Sequence, residues 1–515
     1  MTSPEIMQEN LLGTPNKVSH KINLSKIARA TKSPVGIVFF GGMNLILVQW
    51  VLVREMTALL LGTELVVLLV SVAYFAGLSV GYMLAERVKR TWLAPMGVFT
   101  LVIHLTLPIW FRILVAWLDS IHAYAAAFLI LPLLTPFVIS AFYSIFLPLF
   151  ADNGEGQVAG LYGAELLGSG AGVIILVVLG SEGLGAVFAV YSFGLLLILL
   201  ALGVRMKMII PLVMLSFLWL LVLPGINNWS NALWYQTLHG LPAGTTTLFT
   251  GYSPYQKVDV LQLPSGARYL YLDGLNHFGT YDGQRLNVVS GQIPAALMKP
   301  ENALVFGAGS MQMAAMIADH AGQVRTVEID PLVVDVSRRF LLEYNRLNKL
   351  TNRTITIDDA KHFIANSAEH FDFVATDLPA AYSIQTATLY SSPFFAEIAR
   401  HLNPSGVFVA NLTSKFTPDD EVSRRIAAGL LANFKEVMVI TPESVGWSFA
   451  YASDHLPFDG ATVEKALRDS GEKTFVIYET PAVRAIVADA QPITLDSMDI
   501  VLHVSWDWVK SRIEK

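Results

Sequence analysis

The sequence contains no cysteine, and only 15% of its 515 residues carry a charged side chain. The absence of cysteine excludes disulfide bonds, zinc sites built from thiolates and cysteine nucleophiles, and it fits either side of a membrane. The formal net charge is -6, and no cluster of lysine and arginine dominates the C-terminal half. Because nucleic-acid binding depends on clustered positive charge, we expect no nucleic-acid partner.

Hydrophobic residues make up 53% of the chain, which is too many for one ordinary soluble enzyme. They are unevenly distributed, because long apolar runs fill residues 34–224, whereas residues 245–515 have the charge density and turn residues of a globular α/β protein. The sequence therefore predicts a multi-pass helical membrane domain followed by an α/β catalytic region. The expected parts are a basic tail (1–33), a transmembrane domain (34–226), a linker with a small β-hairpin domain (227–300) and a Rossmann-like domain (301–515).

The apolar region predicts about seven membrane-spanning helices, since each run approaches the roughly 20 residues that a helix needs to cross a bilayer. The runs are 34–53, 65–85, 94–116, 123–149, 158–180, 183–203 and 208–224. Gly, Ala and Ser are dense in the run "LYGAELLGSGAGVIILVVLG", which indicates close helix packing more than a ligand path.

Basic residues mark the cytoplasmic side of a membrane, and here they lie in the tail, at 87–90 and at 205–207. Seven crossings would then place the C-terminal domain outside. We expect, however, a multi-pass protein of the cell (inner) membrane with its catalytic domain in the cytoplasm, because an enzyme that uses a cytosolic metabolite has to face that side. That orientation requires one segment not to cross, and the proline-containing run 123–149 is the first candidate.

Charged residues in or near the spans are costly when they face lipid, so each is a candidate for function. They are Arg54, Glu55, Glu64, Arg112 and Glu165. The alternative for Arg54 and Glu55 is an interfacial turn in which the two pair with each other.

From Ala303 onward, short β-like runs alternate with helical stretches, which predicts a parallel sheet with helices on both faces. Ligands bind such sheets at the carboxyl ends of the strands. Gly307 and Gly309 follow the first strand, where missing side chains allow a tight turn and close approach to a ligand. The next three strands are each followed by an acid: Glu328, Asp359 and Asp377. A carboxylate at such a position can accept hydrogen bonds from ribose hydroxyls or from an adenine amino group.

Each of these acids could instead be a helix cap or a solvated loop residue. Their occurrence at successive strand ends favours a nucleoside site. The third glycine of a dinucleotide fingerprint is replaced by Gln312, so the pattern suits an adenosyl group better than NAD.

Over residues 250–455 the sequence resembles the spermidine synthase (polyamine aminopropyltransferase) family. "SPYQKVDV" resembles that family's Ser-x-Tyr-Gln entry strand, and "YLYLDGLNHF" resembles its Leu-Asp-Gly-x-x-Gln hairpin. "VEID", "LNPSGVFVANL" and "GWSFAYAS" also match, and the apolar half is similar to the N-terminal region of membrane-fused members.

The resemblance implies a small N-terminal β domain followed by a methyltransferase-type Rossmann domain, with a homodimer as the favoured assembly. It implies decarboxylated S-adenosylmethionine as the donor and methylthioadenosine as the product, without a metal. Gln256 and Glu328 would contact the nucleoside side of the donor, Asp359 its adenine, and Asp377 would be the catalytic acid. The expected donor-binding residues are Gln256, Asn287, Gly307, Gly309, Ser310, Glu328 and Asp359.

Three departures from the family pattern remove carboxylates that would hold ammonium groups. The glycine-rich loop has Ser310 in place of aspartate, the Tyr-His-Glu segment becomes 286–288 (Leu-Asn-Val), and Asp-Ser-Ser-Asp becomes 377–380 (Asp-Leu-Pro-Ala). Burying a cationic diamine without opposite charges is costly, so free putrescine is a poor candidate for the acceptor. We expect instead a membrane-associated acceptor or an unusual amine.

Two other functions fit the same residues. A methyltransferase that uses intact S-adenosylmethionine would benefit from the loss of the acid at Ser310, which would otherwise repel the methionine carboxylate. A transporter or sensor that binds an adenosyl metabolite without turnover would explain the fusion to a helical domain.

Overall fold

The computed structural model of the chain describes residues 34–60, 64–150, 155–180, 183–279, 283–307, 309–496 and 499–513. They form a helical domain, a small antiparallel sheet and a larger mixed sheet with helices on both faces. The predicted basic tail, residues 1–33, lies outside the described residues.

The helical domain contains long apolar helices where the membrane spans were predicted. Among the described residues, six helical segments are long and apolar enough to cross a membrane, or seven if one bent pair counts as a single span. This agrees with the number of spans expected from the apolar runs. The helices are α1 (Pro34–Leu59), α2 (Glu64–Leu84), α3 (Arg90–Leu105), α4 (Leu107–Ser120), α5 (Tyr124–Ser144), α6 (Phe146–Phe150), α7 (Glu155–Leu179), α8 (Leu184–Ala201) and α9 (Met206–Leu238).

The sharp break in the helical domain lies between α3 and α4, which meet at 65°. The proline-containing segment 123–149 was the first candidate for a segment that does not cross, but it is long and apolar enough to span in full. The bend arises at Thr106 because Pro108 has no N–H to continue the helical hydrogen bonds. At the bend, the Val102 carbonyl accepts from both the N–H and the hydroxyl of Thr106, at 3.2 and 2.8 Å.

Glycines allow two helix pairs to approach closely. A Cβ at Gly168 of α7 would collide with the backbone carbonyl of Phe39 in α1, and one at Gly77 of α2 would collide with that of Phe137 in α5. Such backbone contact requires a residue without a side chain. The small residues of the α7 run therefore contribute to packing, as their density predicts.

A four-stranded antiparallel sheet follows the helices, in the order β1-β2-β3-β4. Its strands are β1 (Thr246–Tyr252), β2 (Lys257–Gln262), β3 (Arg268–Leu272) and β4 (Leu275–Gly279). The boundary that we expected at residue 226 falls inside α9, which continues to Leu238. Asn227, Asn231 and Tyr235 are spaced four residues apart, so they lie on one polar face of α9. This face bonds to Arg112 of α4 and to Asp259 of the small sheet.

The C-terminal part is an eight-stranded sheet in the order β12-β10-β11-β9-β8-β5-β6-β7. Strands β5 to β9 pair in parallel and the remaining pairs are antiparallel, as predicted for a Rossmann-like domain. The strands are β5 (Asn302–Phe306), β6 (Gln323–Glu328), β7 (Arg353–Ile357), β8 (Phe371–Thr376), β9 (Leu402–Asn411), β10 (Glu436–Pro442), β11 (Phe449–Ser453) and β12 (Phe475–Tyr478).

Helices cover both faces of this sheet, and separate apolar cores lie on the two sides. The helices are α10 (Gly283–Asn287), α11 (Ile293–Met298), α12 (Gln312–Ala318), α13 (Pro331–Phe340), α14 (Leu342–Asn345), α15 (Ala360–Asn366), α16 (Ile384–Ala387), α17 (Ser392–Arg400), α18 (Glu421–Leu431), α19 (Gly460–Asp469), α20 (Thr480–Ile486) and α21 (Ile500–Ile513).

A fully buried ion pair joins three helices and the small sheet. Arg112 of α4 binds Glu55 of α1 through two hydrogen bonds, of 2.8 and 3.1 Å, and both side chains are 0% exposed. The Tyr252 hydroxyl of β1 donates to the same carboxylate. Arg112 also donates to the Asn227 side chain at 2.8 Å and to the Ser230 hydroxyl at 3.1 Å, both on α9. Glu55 therefore pairs with Arg112, not with Arg54 as the alternative above supposed.

A second buried ion pair fixes strand β2 to the same face of α9. The Lys257 ammonium lies 2.8 Å from the Asp259 carboxylate and donates to Asn231 at 2.7 Å. Asn231 and Tyr235 both donate to Asp259, at 3.1 and 2.8 Å. Each charge thus has an opposite charge and further hydrogen bonds, which is the condition for burying it.

The Arg112–Glu55 pair predicts a large stability loss for Arg112→Ala. Removing one partner leaves a buried carboxylate without compensation, which costs about 3–5 kcal/mol. The measurement is the thermal unfolding midpoint of the detergent-solubilised protein. Arg339→Ala is the control, because its pair with Asp335 is exposed (60% and 44%) and such pairs contribute about 0.3–0.5 kcal/mol. Equal midpoints for the two variants would contradict a structural role for the buried pair.

Candidate functional site

The loop after β5 contains the two predicted glycines, and both adopt left-handed backbone conformations. The φ angles of Gly307 and Gly309 are +86° and +42°. A Cβ on Gly307 would collide with the backbone carbonyl of Asp377, which follows β8. The Asp377 N–H donates to the Phe306 carbonyl at 2.8 Å. The glycines therefore let the β5 loop lie directly against the end of β8.

Ser310 shapes this loop from within. Its side chain is 2% exposed, and its hydroxyl accepts a hydrogen bond from the Gln312 N–H at 3.2 Å, at the start of α12. Asn345 donates to the Ser310 carbonyl at 3.2 Å. The predicted contact between Ser310 and a donor stays a prediction, and the bond observed in the protein is local.

Two predicted donor residues, Glu328 and Gln256, meet at Asp330. Glu328 is buried at the end of β6 and accepts from the Asp330 N–H at 2.8 Å. The Asp330 carboxylate in turn accepts from the Gln256 amide at 3.1 Å and from the Ser253 hydroxyl at 2.7 Å. The structure thus brings together residues 72 positions apart in the chain.

Asp330 was not among the residues predicted for the site. It belongs to the quoted motif "VEID", but its position before Pro331 indicated only turn chemistry. It also caps α13 by accepting from the Leu332 N–H at 2.9 Å. Its carboxylate links the loop after β1, which carries Ser253 and Gln256, to the Rossmann-like domain.

Asp359 caps a helix. Its carboxylate accepts from the backbone N–H groups of Lys361 and His362, at 2.8 and 3.1 Å, at the start of α15. This is the structural alternative weighed for the strand-end acids, while contact with adenine stays a prediction for Asp359.

Asn287 lies in a buried amide pair. Its side chain is 4% exposed and donates to Gln312 at 3.0 Å, which ties α10 to the first turn of α12. Its neighbours Leu286 and Val288 pack against the apolar core. No carboxylate stands at any of these three positions.

The predicted catalytic acid, Asp377, lies in the centre of this arrangement. Its Oδ2 atom is 3.2 Å from the point that a Cβ on Gly309 would occupy. Among the described residues, no hydrogen bond or ion pair to this carboxylate is present. Burial, and then the nearby charge of Glu328, raises the pKa of Asp377 to about 7. The group therefore exchanges its proton near neutral pH, as a general base should.

His277 is a site residue that the sequence analysis missed. Its Nδ1 atom lies 3.0 Å from the same point beside Gly309, so the imidazole and the Asp377 carboxylate are close neighbours. Burial lowers the pKa of His277 to about 4, which keeps the ring neutral at pH 7. The signal was present, because His277 stands where the Leu-Asp-Gly-x-x-Gln hairpin motif has glutamine.

The loops of the site rest on the ends of α1 and α2. Arg54 donates to the carbonyls of Pro254 and Tyr255, the latter at 2.9 Å, in the loop that carries Gln256. The Gly274 turn packs against the Ala58 carbonyl. The N–H of Glu64 donates at 3.1 Å to the Tyr382 carbonyl, in the segment after Asp377. The helical domain is therefore part of the framework of the site.

Among the described residues, one group of side chains has the spacing of metal ligands. It consists of Glu421, Asp499 and His503, all exposed. Arg425 already pairs with both acids, at 3.5 and 2.9 Å. These residues are not among those at the strand ends.

Comparison with known proteins identifies the C-terminal part. Residues 287–458 match the family model of the spermine/spermidine synthase domain. The chain is 30% identical over 211 residues to a polyamine aminopropyltransferase of Oceanobacillus iheyensis, covering 39% of this chain and 41% of that protein. It is 27% identical over 237 residues to one of Thermoplasma volcanium, covering 44% and 86%. The chain thus spans less than half of the Oceanobacillus protein.

Solved structures with a similar backbone include a spermidine synthase of Thermotoga maritima and a probable one of Corynebacterium glutamicum. The first has a TM-score of 0.37 at 18% identity and covers 52% of this chain and 87% of that chain. The second has a TM-score of 0.41 at 19% identity and covers 48% and 95%.

The predicted resemblance is confirmed by the domain match and the curated relatives. Residues 287–458, which carry Asn287, Glu328 and Asp377, are therefore a domain of the spermidine synthase family.

Proposed function

We propose that this protein is a membrane-embedded transferase that moves an aminopropyl group from decarboxylated S-adenosylmethionine to an amine acceptor. The observation that carries the proposal is the position of Asp377. A carboxylate with a pKa of about 7 lies beside the glycine loop, in a domain of the spermidine synthase family.

In the proposed reaction, the acceptor nitrogen attacks the aminopropyl carbon next to the donor sulfonium. The carbon–nitrogen bond forms as the carbon–sulfur bond breaks, its electrons go to sulfur, and methylthioadenosine leaves. The proton of the acceptor ammonium passes to Asp377, whose carboxylate also holds the amine in line with the carbon. The Glu328 carboxylate would accept hydrogen bonds from the ribose hydroxyls. The neutral His277 imidazole would lie beside the proton path.

The acceptor half of the site supports an amine other than a free diamine. Ser310 and the 286–288 and 378–380 segments supply no carboxylate beyond Asp377, and Leu378 and Ala380 are buried. A second ammonium group would therefore lack a counter-charge. We infer an acceptor with one reactive amine and an apolar or membrane-associated remainder.

The surroundings of Arg54 suit such an acceptor. A largely apolar groove of about 520 Å³ lies between α1, α2 and α7, with Trp50, Phe75 and Leu176 in its walls. Arg54 lines the same groove and bonds to the loop of Gln256. An amphiphile in the groove would reach the edge of the catalytic domain.

Placement in the cell (inner) membrane is part of the proposal. It is supported by the length and hydropathy of the helical segments and by the many exposed apolar side chains of α2, α7 and α9. A homodimer remains an expectation from the family resemblance.

A methyltransferase that uses intact S-adenosylmethionine is the second candidate. The specific observation in its favour is Ser310, which stands where the family pattern has an aspartate. No acid at this position would repel the carboxylate of intact S-adenosylmethionine, and the Ser310 hydroxyl accepts from the Gln312 N–H within the loop. A sensor that binds without turnover remains a third candidate.

Product analysis separates these functions. The full-length protein, in nanodiscs, is incubated with decarboxylated or intact S-adenosylmethionine and either putrescine or vesicles that contain an amine phospholipid. We expect methylthioadenosine, detected by mass spectrometry, from the decarboxylated donor. S-Adenosylhomocysteine would instead establish methyl transfer. Calorimetric binding of methylthioadenosine with neither product would establish the sensor.

Asp377→Asn should abolish turnover while leaving the binding of methylthioadenosine within a few-fold of the original. Loss of a general base typically lowers the rate at least ~100-fold. Rates and calorimetric affinities are compared with those of Asp335→Asn, which changes an exposed acid on α13. An unchanged rate in Asp377→Asn would remove Asp377 from the catalytic role.

The pH dependence follows from the same carboxylate. Because the base form of Asp377 is the deprotonated one and its pKa is about 7, kcat/KM should increase as the pH rises through about 7. Initial rates across the neutral range measure this. The residual rate of Asp377→Asn should not increase with pH near 7. If the increase persists in this variant, the ionisation belongs to another group.

A further inference from the structure

The helical domain has two ends, which the contacts between helices define. At the tail end, α1 begins at Pro34, and Arg90 at the start of α3 donates to the Leu149 carbonyl of α6 at 2.9 Å. The start of α3 also packs on the end of α8, where Gly97 faces Leu199. At the domain end, the Tyr124 hydroxyl at the start of α5 donates to Leu59 at the end of α1.

The bent pair α3–α4 runs from one end to the other. It starts at the tail end with Arg90, and Arg112 of α4 reaches Glu55 near the end of α1 and Asn227 on α9. The 65° bend therefore does not return the chain to its starting side. Counting this pair once, the helical segments alternate in direction, with seven traverses between Pro34 and Leu238.

The C-terminal domain is attached to the domain end. The contacts of Arg54, Ala58 and Glu64 with the site loops, and those of Glu55 with Tyr252, all lie where α1 ends and α2 begins. α1 begins at Pro34, at the opposite end. If α1 crosses a membrane, Pro34 and the site are on opposite sides of it.

The basic residues are concentrated at the tail end. The connections there and the first residues of α3 and α9 contain Arg87, Lys89, Arg90, Arg205 and Lys207. The sequence before Pro34 has five more lysines and arginines (Lys17, Lys21, Lys26, Arg29 and Lys32). The connections at the domain end, 60–63, 121–123 and 180–183, contain no lysine or arginine. An excess of Lys and Arg in short connections marks the cytoplasmic side.

We propose that the adenosyl site faces the non-cytoplasmic side of the membrane. The basic tail end lies in the cytoplasm, and the buried ion pairs attach the catalytic domain to the other end. The sequence analysis favoured the cytoplasm because the donor is cytosolic, but the contacts with the ends of α1 and α2 favour the opposite orientation. The absence of cysteine is compatible with it.

This orientation places the enzyme in a reaction sequence. A charged adenosyl sulfonium does not cross a bilayer unaided, so a transport step must supply the donor before transfer occurs. The acceptor amine must be exposed on that same side. The orientation of the site and its chemistry are tested separately. Labelling can contradict the orientation while product analysis still shows aminopropyl transfer, and product analysis can contradict the transfer while labelling supports the orientation.

The absence of cysteine makes a labelling test direct, because any introduced cysteine is the only thiol. Asp454→Cys places it on the catalytic domain, where Asp454 is 55% exposed, and Glu86→Cys places it at the tail end. Intact cells that express each full-length variant are treated with a membrane-impermeant maleimide, and permeabilised cells serve as the labelling control. Lys435→Cys, at a position 77% exposed, repeats the test on the same domain.

We expect Asp454→Cys and Lys435→Cys to be labelled in intact cells and Glu86→Cys only after permeabilisation. Labelling of Glu86→Cys but not of the domain variants in intact cells would place the site in the cytoplasm and overturn the inference. Equal labelling of both ends in intact cells, or of neither, would overturn it as well, because both ends would then share one side.

Discussion

The buried pair between Glu55 and Arg112 is the constraint on which the rest of the structure depends. It lies where α1, α4 and α9 meet the first strand of the small sheet, and both charges are shielded from solvent. Since a buried charge is tolerated only when it is fully paired, the helices and the sheet must keep one relative position. The Lys257–Asp259 pair imposes the same requirement one strand further on.

Fixing the sheet on the helix ends also fixes the residues of the proposed adenosyl site. Ser253 and Gln256 follow β1 and reach Asp330, which links them to Glu328 on the neighbouring domain. The segment after Asp377 bonds to Glu64 at the start of α2. The loop of Gln256 and the segment after Asp377, the proposed catalytic acid, are thus both supported by the helical domain, which gives a physical reason for the fusion of the two parts.

Much of this organisation could be predicted from the sequence, because it depends on local pattern. Apolar runs predicted the helices, and strand alternation predicted the order in which Gly307, Glu328 and Asp377 reach one sheet edge. The pairing of Glu55 with Arg112 could not be predicted, since it depends on which helix faces pack together across 57 residues. The same holds for the bend at Thr106, where one proline among several interrupts the helix. For His277 the hairpin motif offered a signal, but its approach to Gly309 is visible only in the fold.

We propose that one chain holds an adenosyl site at the end of a membrane-embedded helix bundle. An electron cryo-microscopy map of the full-length protein in a lipid nanodisc with methylthioadenosine tests this most directly. It should show the lipid belt around α1 to α9 and nucleoside density between the Gly307 loop and Glu328, outside the belt and beside Asp377. Nucleoside density elsewhere, an empty strand-end site at saturating nucleoside, or helices outside the lipid belt would contradict the account.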